Sequence, residues 1–177
     1  MLINEKQFLD FYDKYIAKIY RYIYFRVGSE EVAKDLSSEV FLRVWKYLQS
    51  GEIIGNLSAM AYKIARNLIS DHFRKTSDKL PLSLETLPIT LASSDNTSEN
   101  TSDNFELDRI KACLKDLRAE YQEMVIWRYI EDLDIEEIAQ ITGKSQNAVR
   151  TTISRAMAAL KRAVELKQNQ GIPTVTK

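Results

Sequence analysis

The sequence predicts an all-α protein: two small helical domains joined by a flexible linker, the C-terminal one containing a helix-turn-helix. Three observations carry that reading. Apolar residues recur at spacings of three and four along most of the 177 residues, the period of a helix with one buried face. Gly and Pro number only 5 and 3, too few for the tight turns of an all-β chain. The helical texture also stops over residues 76–104, which hold 11 Ser or Thr and all but one of the Pro residues, a linker composition.

The first helix is predicted from Asn4 to Val27, where Phe8, Phe11, Tyr12, Tyr15, Ile19, Tyr22 and Ile23 follow helical spacing. "GSEE" (Gly28 to Glu31) then breaks and restarts the chain. Ser29 can cap, and the acids suit a helix N-terminus. The second helix runs to about Leu48 on Val32, Leu36, Val40 and Val44. "QSGEIIGN" (Gln49 to Asn56) is a loop, and a third helix follows from about Ser58 to Lys75. These make a first domain over residues 1–75. Beyond the linker, helices are expected at Phe105–Leu117, Ala119–Ile130, Ile135–Thr142 and Ser145–Lys167. They form a second domain over residues 105–168, with a loose tail at 169–177.

Composition narrows the function. At 45% apolar the chain can bury a core. With one Cys and one His, it can form neither an internal disulfide nor a zinc site, which fits a reducing, cytoplasmic setting. The start lacks the basic and apolar pattern of a secretory signal. No uncharged apolar run approaches the ~20 residues of a membrane span, so no membrane insertion is expected. Cys113, Trp45 and Trp127 read as packing residues, and His72 as a partly exposed structural one. There is no Gly-rich phosphate loop, metal-ligand cluster or Ser, His and Asp set at suggestive spacing. Neither an enzyme nor a cofactor is expected.

Charge is neutral in sum and uneven in place. Residues 1–75 carry +3, residues 76–104 carry −4, residues 105–137 carry −5 and residues 138–177 carry +6. The basic C-terminal end can meet phosphate.

Within that end, "IAQITGKSQNAVRTTISRA" (Ile138 to Ala156) places one Gly between two helical patterns. Ile138, Ala139 and Ile141 supply the apolar side of a short helix. Gly143 ends it, and Ser145 can cap the next. At roughly 100° per residue, Val149, Ile153, Ala156 and Leu160 share one face. Asn147, Thr151 and Ser154 lie opposite, flanked by Arg150 and Arg155. An ordinary helical hairpin with a polar face fits this pattern alone as well as a DNA reader does. Short hydrogen-bonding residues framed by Arg, on a basic segment, favour a major-groove reader.

The other segments carry a resemblance. "AKDLSSEVFLRVWKYL" (Ala33 to Leu48) resembles the polymerase-binding segment of bacterial sigma factors. "AYKIARNLISDHFRK" (Ala61 to Lys75) resembles their promoter-melting helix. "LKDLRAEYQEMVIWRYIEDLDIEEIAQITGKSQNAVRTTISRAMAALKR" (Leu114 to Arg162) resembles their C-terminal helix-turn-helix region. Order, linker and length resemble the small two-domain type, the extracytoplasmic function (ECF) sigma factors of the sigma-70 family. Residues 1–75 then correspond to sigma region 2 and residues 105–168 to region 4. Ser38, Met60 and Thr152 depart from the common pattern and put the preferred promoter sequence in doubt.

The resemblance implies roles. Asp35, Glu39 and Arg43 would contact core RNA polymerase, with Leu36 and Phe41 in the core. Asn67 would read a flipped base of the −10 element, with Arg66, Asp71, Arg74 and Lys75 around it. Ser145, Gln146, Asn147, Arg150, Thr151, Ser154 and Arg155 would meet the −35 element as duplex. The protein would be cytoplasmic, and nucleoid-associated when bound to polymerase. An anti-sigma protein is a further expected partner. Two rivals remain: a polymerase-independent helix-turn-helix regulator and, behind it, a DNA recombinase, for which the N-terminal half shows no nucleophile-bearing domain. Elements two helical turns apart lie roughly 70 Å from each other. The linker has a coil span of about 30 Å and reaches about 100 Å when extended, so it bridges them only when drawn out on a large scaffold.

Overall fold

The computed structural model describes residues 5–50, 55–78 and 110–170, with side chains through Lys167 except that of Asp78. Residues 79–104 of the expected linker, the expected helix start at Phe105 and the tail from 171 lie outside them. Every regular element among the described residues is helical.

Helix α1 spans Glu5–Val27. It ends at Gly28, whose N–H donates to the Tyr24 carbonyl at 2.9 Å with φ +75°. Ser29 then caps α2, Glu30–Gln49, and its hydroxyl accepts from the Val32 N–H at 3.4 Å. Helix α3 spans Leu57–Asp78, longer at both ends than the periodicity predicts. Asn56 supplies its N-terminal cap by accepting from the Ala59 N–H at 3.0 Å. At the other end Thr76 and Ser77 donate to the His72 and Phe73 carbonyls, each at 2.9 Å. Residues of linker composition thus lie within the helix, their hydroxyls satisfied by its own carbonyls.

These helices bury Phe11, Ile19, Tyr22, Ile23, Val40, Phe41, Val44, Tyr62 and Ile69. Ala33, Ala61 and Ala65 are fully buried too, which lets the backbones approach closely. Phe41 is core as expected, while Leu36 is only half-buried. Tyr12, expected on the buried face, is more than a third exposed and lies edge-on to Phe41. Trp45 is half-buried against Phe8, with ring centroids 4.8 Å apart.

In the second half, helix α4 covers residues 110–115 of the described chain, and Cys113 is buried there. A single α-helix was expected over Ala119–Ile130. The structure corrects this: α5, Ala119–Val125, runs into one π turn, Ile126–Ile130. The Glu131 N–H reaches back five residues to the Ile126 carbonyl at 2.9 Å. Five residues then complete about one turn, so Ile126 and Glu131 fall in line beside Trp127, and all three are buried. The chain leaves through Asp132 at φ +54°, a conformation short polar residues tolerate.

Helix α6, Ile135–Thr142, opens on a capping box. Asp134 accepts from the Glu137 N–H at 2.7 Å, and Glu137 accepts from the Asp134 N–H at 2.9 Å. It closes on Gly143, whose N–H donates to the Ala139 carbonyl at 2.8 Å. Helix α7 runs Gln146–Gln170.

The two helical halves pack on each other. One core runs from Phe11 to Ala156. Trp127 lies at its centre, its ring 5.3 Å from Tyr22 of α1 and 6.1 Å from Tyr62 of α3.

Candidate nucleic-acid interface

The helix-turn-helix is built as its local chemistry dictates. Gly143 takes φ +70° and ψ 16°, the left-handed turn that glycine makes without steric cost. The Ser145 hydroxyl then accepts from the Ala148 N–H at 3.2 Å, satisfying an otherwise orphaned donor of the first turn. Val149, Ile153 and Ala156 are buried, so they fix the rotation of α7 about its axis. That rotation leaves Ser145, Gln146, Asn147, Arg150, Thr151, Ser154 and Arg155 exposed together. Leu160, expected on the buried face, is half-buried.

The exposed edge is ordered internally. Arg150 donates to the Asn147 side-chain oxygen at 3.2 Å and to that of Gln146 at 3.4 Å. The fork is thereby held beside two amides, and all three present hydrogen-bonding groups suited to base edges. The Thr151 and Thr152 hydroxyls donate back to the Asn147 and Ala148 carbonyls at 2.9 and 2.8 Å. Lys144, in the turn, pairs with Glu120 of α5. The Lys144 hydrogen bond holds the Glu120 carboxyl below its ordinary range.

On α3, Asn67, Arg74 and Lys75 are exposed, and Asp71 pairs with Arg74 at 2.8 Å. Arg66 is different. It donates through Nε to one Glu123 carboxylate oxygen at 3.1 Å, and a terminal nitrogen pairs with the other oxygen at 3.1 Å. Its neighbour Asn67 is open to solvent while its own charge is already matched. On α2, Asp35 is exposed, and Glu39 accepts from Arg43 at 2.6 Å across one helical turn. Of the positions that depart from the common pattern, Ser38 is exposed on α2, whereas Met60 and Thr152 are half-buried.

Sequence reasoning missed the two carboxylates that join the halves. The Glu131 side chain is fully buried and takes two 2.7 Å bonds from Arg21. Glu123 accepts from the Tyr22 hydroxyl at 3.2 Å as well as from Arg66. Burial, with the Glu123 charge beside it, pushes the Tyr22 phenol well above its usual range. The available signal was their place four residues on either side of Trp127. Acids that flank a buried ring on one helical face need buried partners.

Two family models match the chain: sigma-70 region 2 over residues 11–78 and sigma-70 region 4 over residues 107–160. The chain is 33% identical over 156 residues to the ECF RNA polymerase sigma factor BldN of Streptomyces coelicolor. That alignment takes in 85% of this chain and 58% of BldN, so the chain spans little more than half of that relative. It is 28% identical over 167 residues to the ECF RNA polymerase sigma factor SigW of Bacillus subtilis, covering 90% of this chain and 89% of SigW. Among solved structures, the sigma factor RpoE of Bartonella quintana, in complex with the anti-sigma factor NepR, shares the fold. It superposes with a TM-score of 0.68 at 21% identity over 90% of this chain and 98% of that one.

Proposed function

Because the chain belongs to the sigma-70 family, in its ECF form, we propose that it binds core RNA polymerase, directs it to specific promoters and helps melt the −10 element. One observation carries this. A single chain holds a region 2 half whose α3 leaves Asn67 open to solvent and a region 4 half whose α7 exposes an ordered Gln146–Asn147–Arg150 edge. A stand-alone duplex regulator needs only the second.

In this reading the first half of α7 enters the major groove of the −35 element. Arg150 bridges a guanine or holds a phosphate, Gln146 and Asn147 pair with base edges, and Arg155 meets the backbone. Asn67 takes a base that has left the −10 stack. Unstacking costs a few kcal/mol, offset by the hydrogen bonds of that site and by cations such as Arg74 and Lys75 along the strand. Asp35, Glu39 and Arg43 of α2 face polymerase, which supplies the scaffold and the catalysis. Action is cytoplasmic. Among the described residues no helix is long and apolar enough to cross a membrane. An anti-sigma protein is a proposed partner, since the RpoE relative of known structure was solved with one. Co-purification from native cells with nothing but polymerase would count against it.

The test is run-off transcription with core RNA polymerase on pooled promoters of the source organism. Discrete start sites that require this protein are expected, with Asn67→Ala and Arg150→Ala altering −10 and −35 preference separately. No stimulation, together with tight duplex binding by the protein alone, would overturn the reading.

A further inference from the structure

We propose that Lys144 and Arg118, yoked by the Glu120 carboxylate, clamp one backbone phosphate beside the −35 element, and that Glu120 is the residue that positions both cations. The inference deepens the sigma factor reading above and rests on it.

The two cations come from different elements and meet on one carboxylate. Lys144 stands in the turn between α6 and α7, and its ammonium bonds one Glu120 oxygen. Arg118, at the start of α5, reaches the other oxygen at 3.4 Å. Neither is loose. The Lys144 N–H donates to the Thr142 hydroxyl at 3.4 Å, and that hydroxyl donates to the Ile138 carbonyl at 2.8 Å. The Arg118 guanidinium lies over the Tyr121 ring, 4.4 Å from its centroid, a cation–π contact that restrains it.

The charge balance points to an anion. Two cations on one carboxylate leave one positive charge over. The Arg118 side chain is 68% exposed, against 33% for Glu120, so the acid is the covered member and the cations face outward. Lysine carries three N–H donors and arginine five, so the bonds to Glu120 leave donors for phosphate oxygens. Partly exposed ion pairs add little to stability, so fastening α5 to the turn does not account for the cluster.

Position identifies the anion. Lys144 directly precedes Ser145, and Gln146 and Asn147 open α7. The first residues of a recognition helix meet base edges. A helix about 10–12 Å across fills a major groove about 12 Å wide, so residues ahead of its first turn pass the sugar–phosphate backbone. Phosphate contacts set register and orientation and carry no sequence information. Arg155 offers one such contact from along α7, and the clamp supplies a second at its entry, which fixes the tilt of the helix in the groove.

The test is a phosphate scan. Holoenzyme binding is measured on promoter DNA in which single phosphates flanking the −35 element are replaced in turn by uncharged methylphosphonates. The full chain is compared with Lys144→Gln/Arg118→Gln and with Glu120→Gln. One phosphate is expected whose neutralisation weakens binding several-fold for the parent and not at all for the double variant. The double variant should keep the parent's base preference, and its slope of log K against log salt should be shallower by about 0.9. Glu120→Gln keeps both cations and should spread the loss over neighbouring phosphates. Lys161→Gln, exposed about 20 Å farther along α7, should retain the parent's pattern. A scan identical for parent and double variant, or for parent and Glu120→Gln, overturns the inference. If a variant loses its far-UV helical signal, acetylation of Lys144 in the unaltered holoenzyme decides. Protection by the natural promoter that is lost on the neutralised one supports the clamp, and equal labelling refutes it. If the holoenzyme binds no promoter, the sigma factor reading fails, and the same scan on duplex bound by the protein alone judges the clamp.

Discussion

Replacing Gly143 with Ala isolates the turn on which the helix-turn-helix depends. A Cβ built at Gly143 meets nothing within 4 Å, so the substitution creates no clash, and its cost is confined to the backbone. At φ +70° an L-residue is strained by about 1–2 kcal/mol. Restricting the unfolded chain returns about 0.4–1 kcal/mol. The net loss is then about 1 kcal/mol. Gly55 provides the control, because an added Cβ there also meets open space and its φ lies outside the left-handed range. Gly55→Ala is expected to be neutral or to stabilise by about 0.4–1 kcal/mol. Urea unfolding of the full chain, followed by far-UV circular dichroism, separates the two. With a slope of about 1–3 kcal/mol/M, the Gly143→Ala midpoint falls by about 0.3–1 M, and Gly143→Asn falls by less because Asn tolerates this conformation. Equal shifts for Gly143→Ala and Gly55→Ala would refute the left-handed turn and, with it, the angle at which α7 leaves α6.

Other outcomes follow from the same geometry. Arg21→Met leaves the fully buried Glu131 side chain unmatched and should cost about 3–5 kcal/mol of stability in urea. Glu131→Gln leaves Arg21, 44% exposed, free to reach water and should cost nearer 1.5–3 kcal/mol; the reverse order would contradict this account of the pair. If α7 reads the −35 element as proposed, Arg150→Ala should cost about 1–3 kcal/mol of discrimination at one position of it. Arg150→Lys should not restore it, because a point charge lacks the planar fork; competition binding against single-base variants reads this. Lys144→Met removes the cation that depresses Glu120. A depressed carboxyl stabilises the fold above its unfolded value, with an ordinary value of 4.5, and that contribution is lost as pH falls through the lowered folded value. The stability gap between the parent and Lys144→Met should therefore be present at neutral pH and close below about pH 4.5; a gap that widens in acid would rule this out.

Much of the fold was legible because helices are written locally. A residue in a helix bonds to its neighbour four positions away. The spacing of Phe11, Ile19, Tyr22 and Ile23 therefore predicts α1, and that of Val149, Ile153 and Ala156 predicts the buried face of α7. Caps are equally local: Ser29, Ser145 and Gly143 act within a few residues of themselves. Where local signals compete, the reading slipped. Thr76 and Ser77 carry linker composition but bond back into α3. The π turn at Ile126–Ile130 buries Ile126, Trp127 and Glu131 together; the placement of Glu131 four residues after Trp127 hints at a shared face, but nothing local marks the wider turn.

The sequence by itself determined the helices, their caps, the polar edge of α7 and the family likeness, all of which depend on residues a few positions apart. Only the tertiary structure decided which of those groups are available. Arg21 meets Glu131 across 110 residues, and Arg66 meets Glu123 across 57. Whether a cation faces solvent or a buried carboxylate is set by which surfaces the folded chain brings together, and helical periodicity carries no record of a partner so far along the chain.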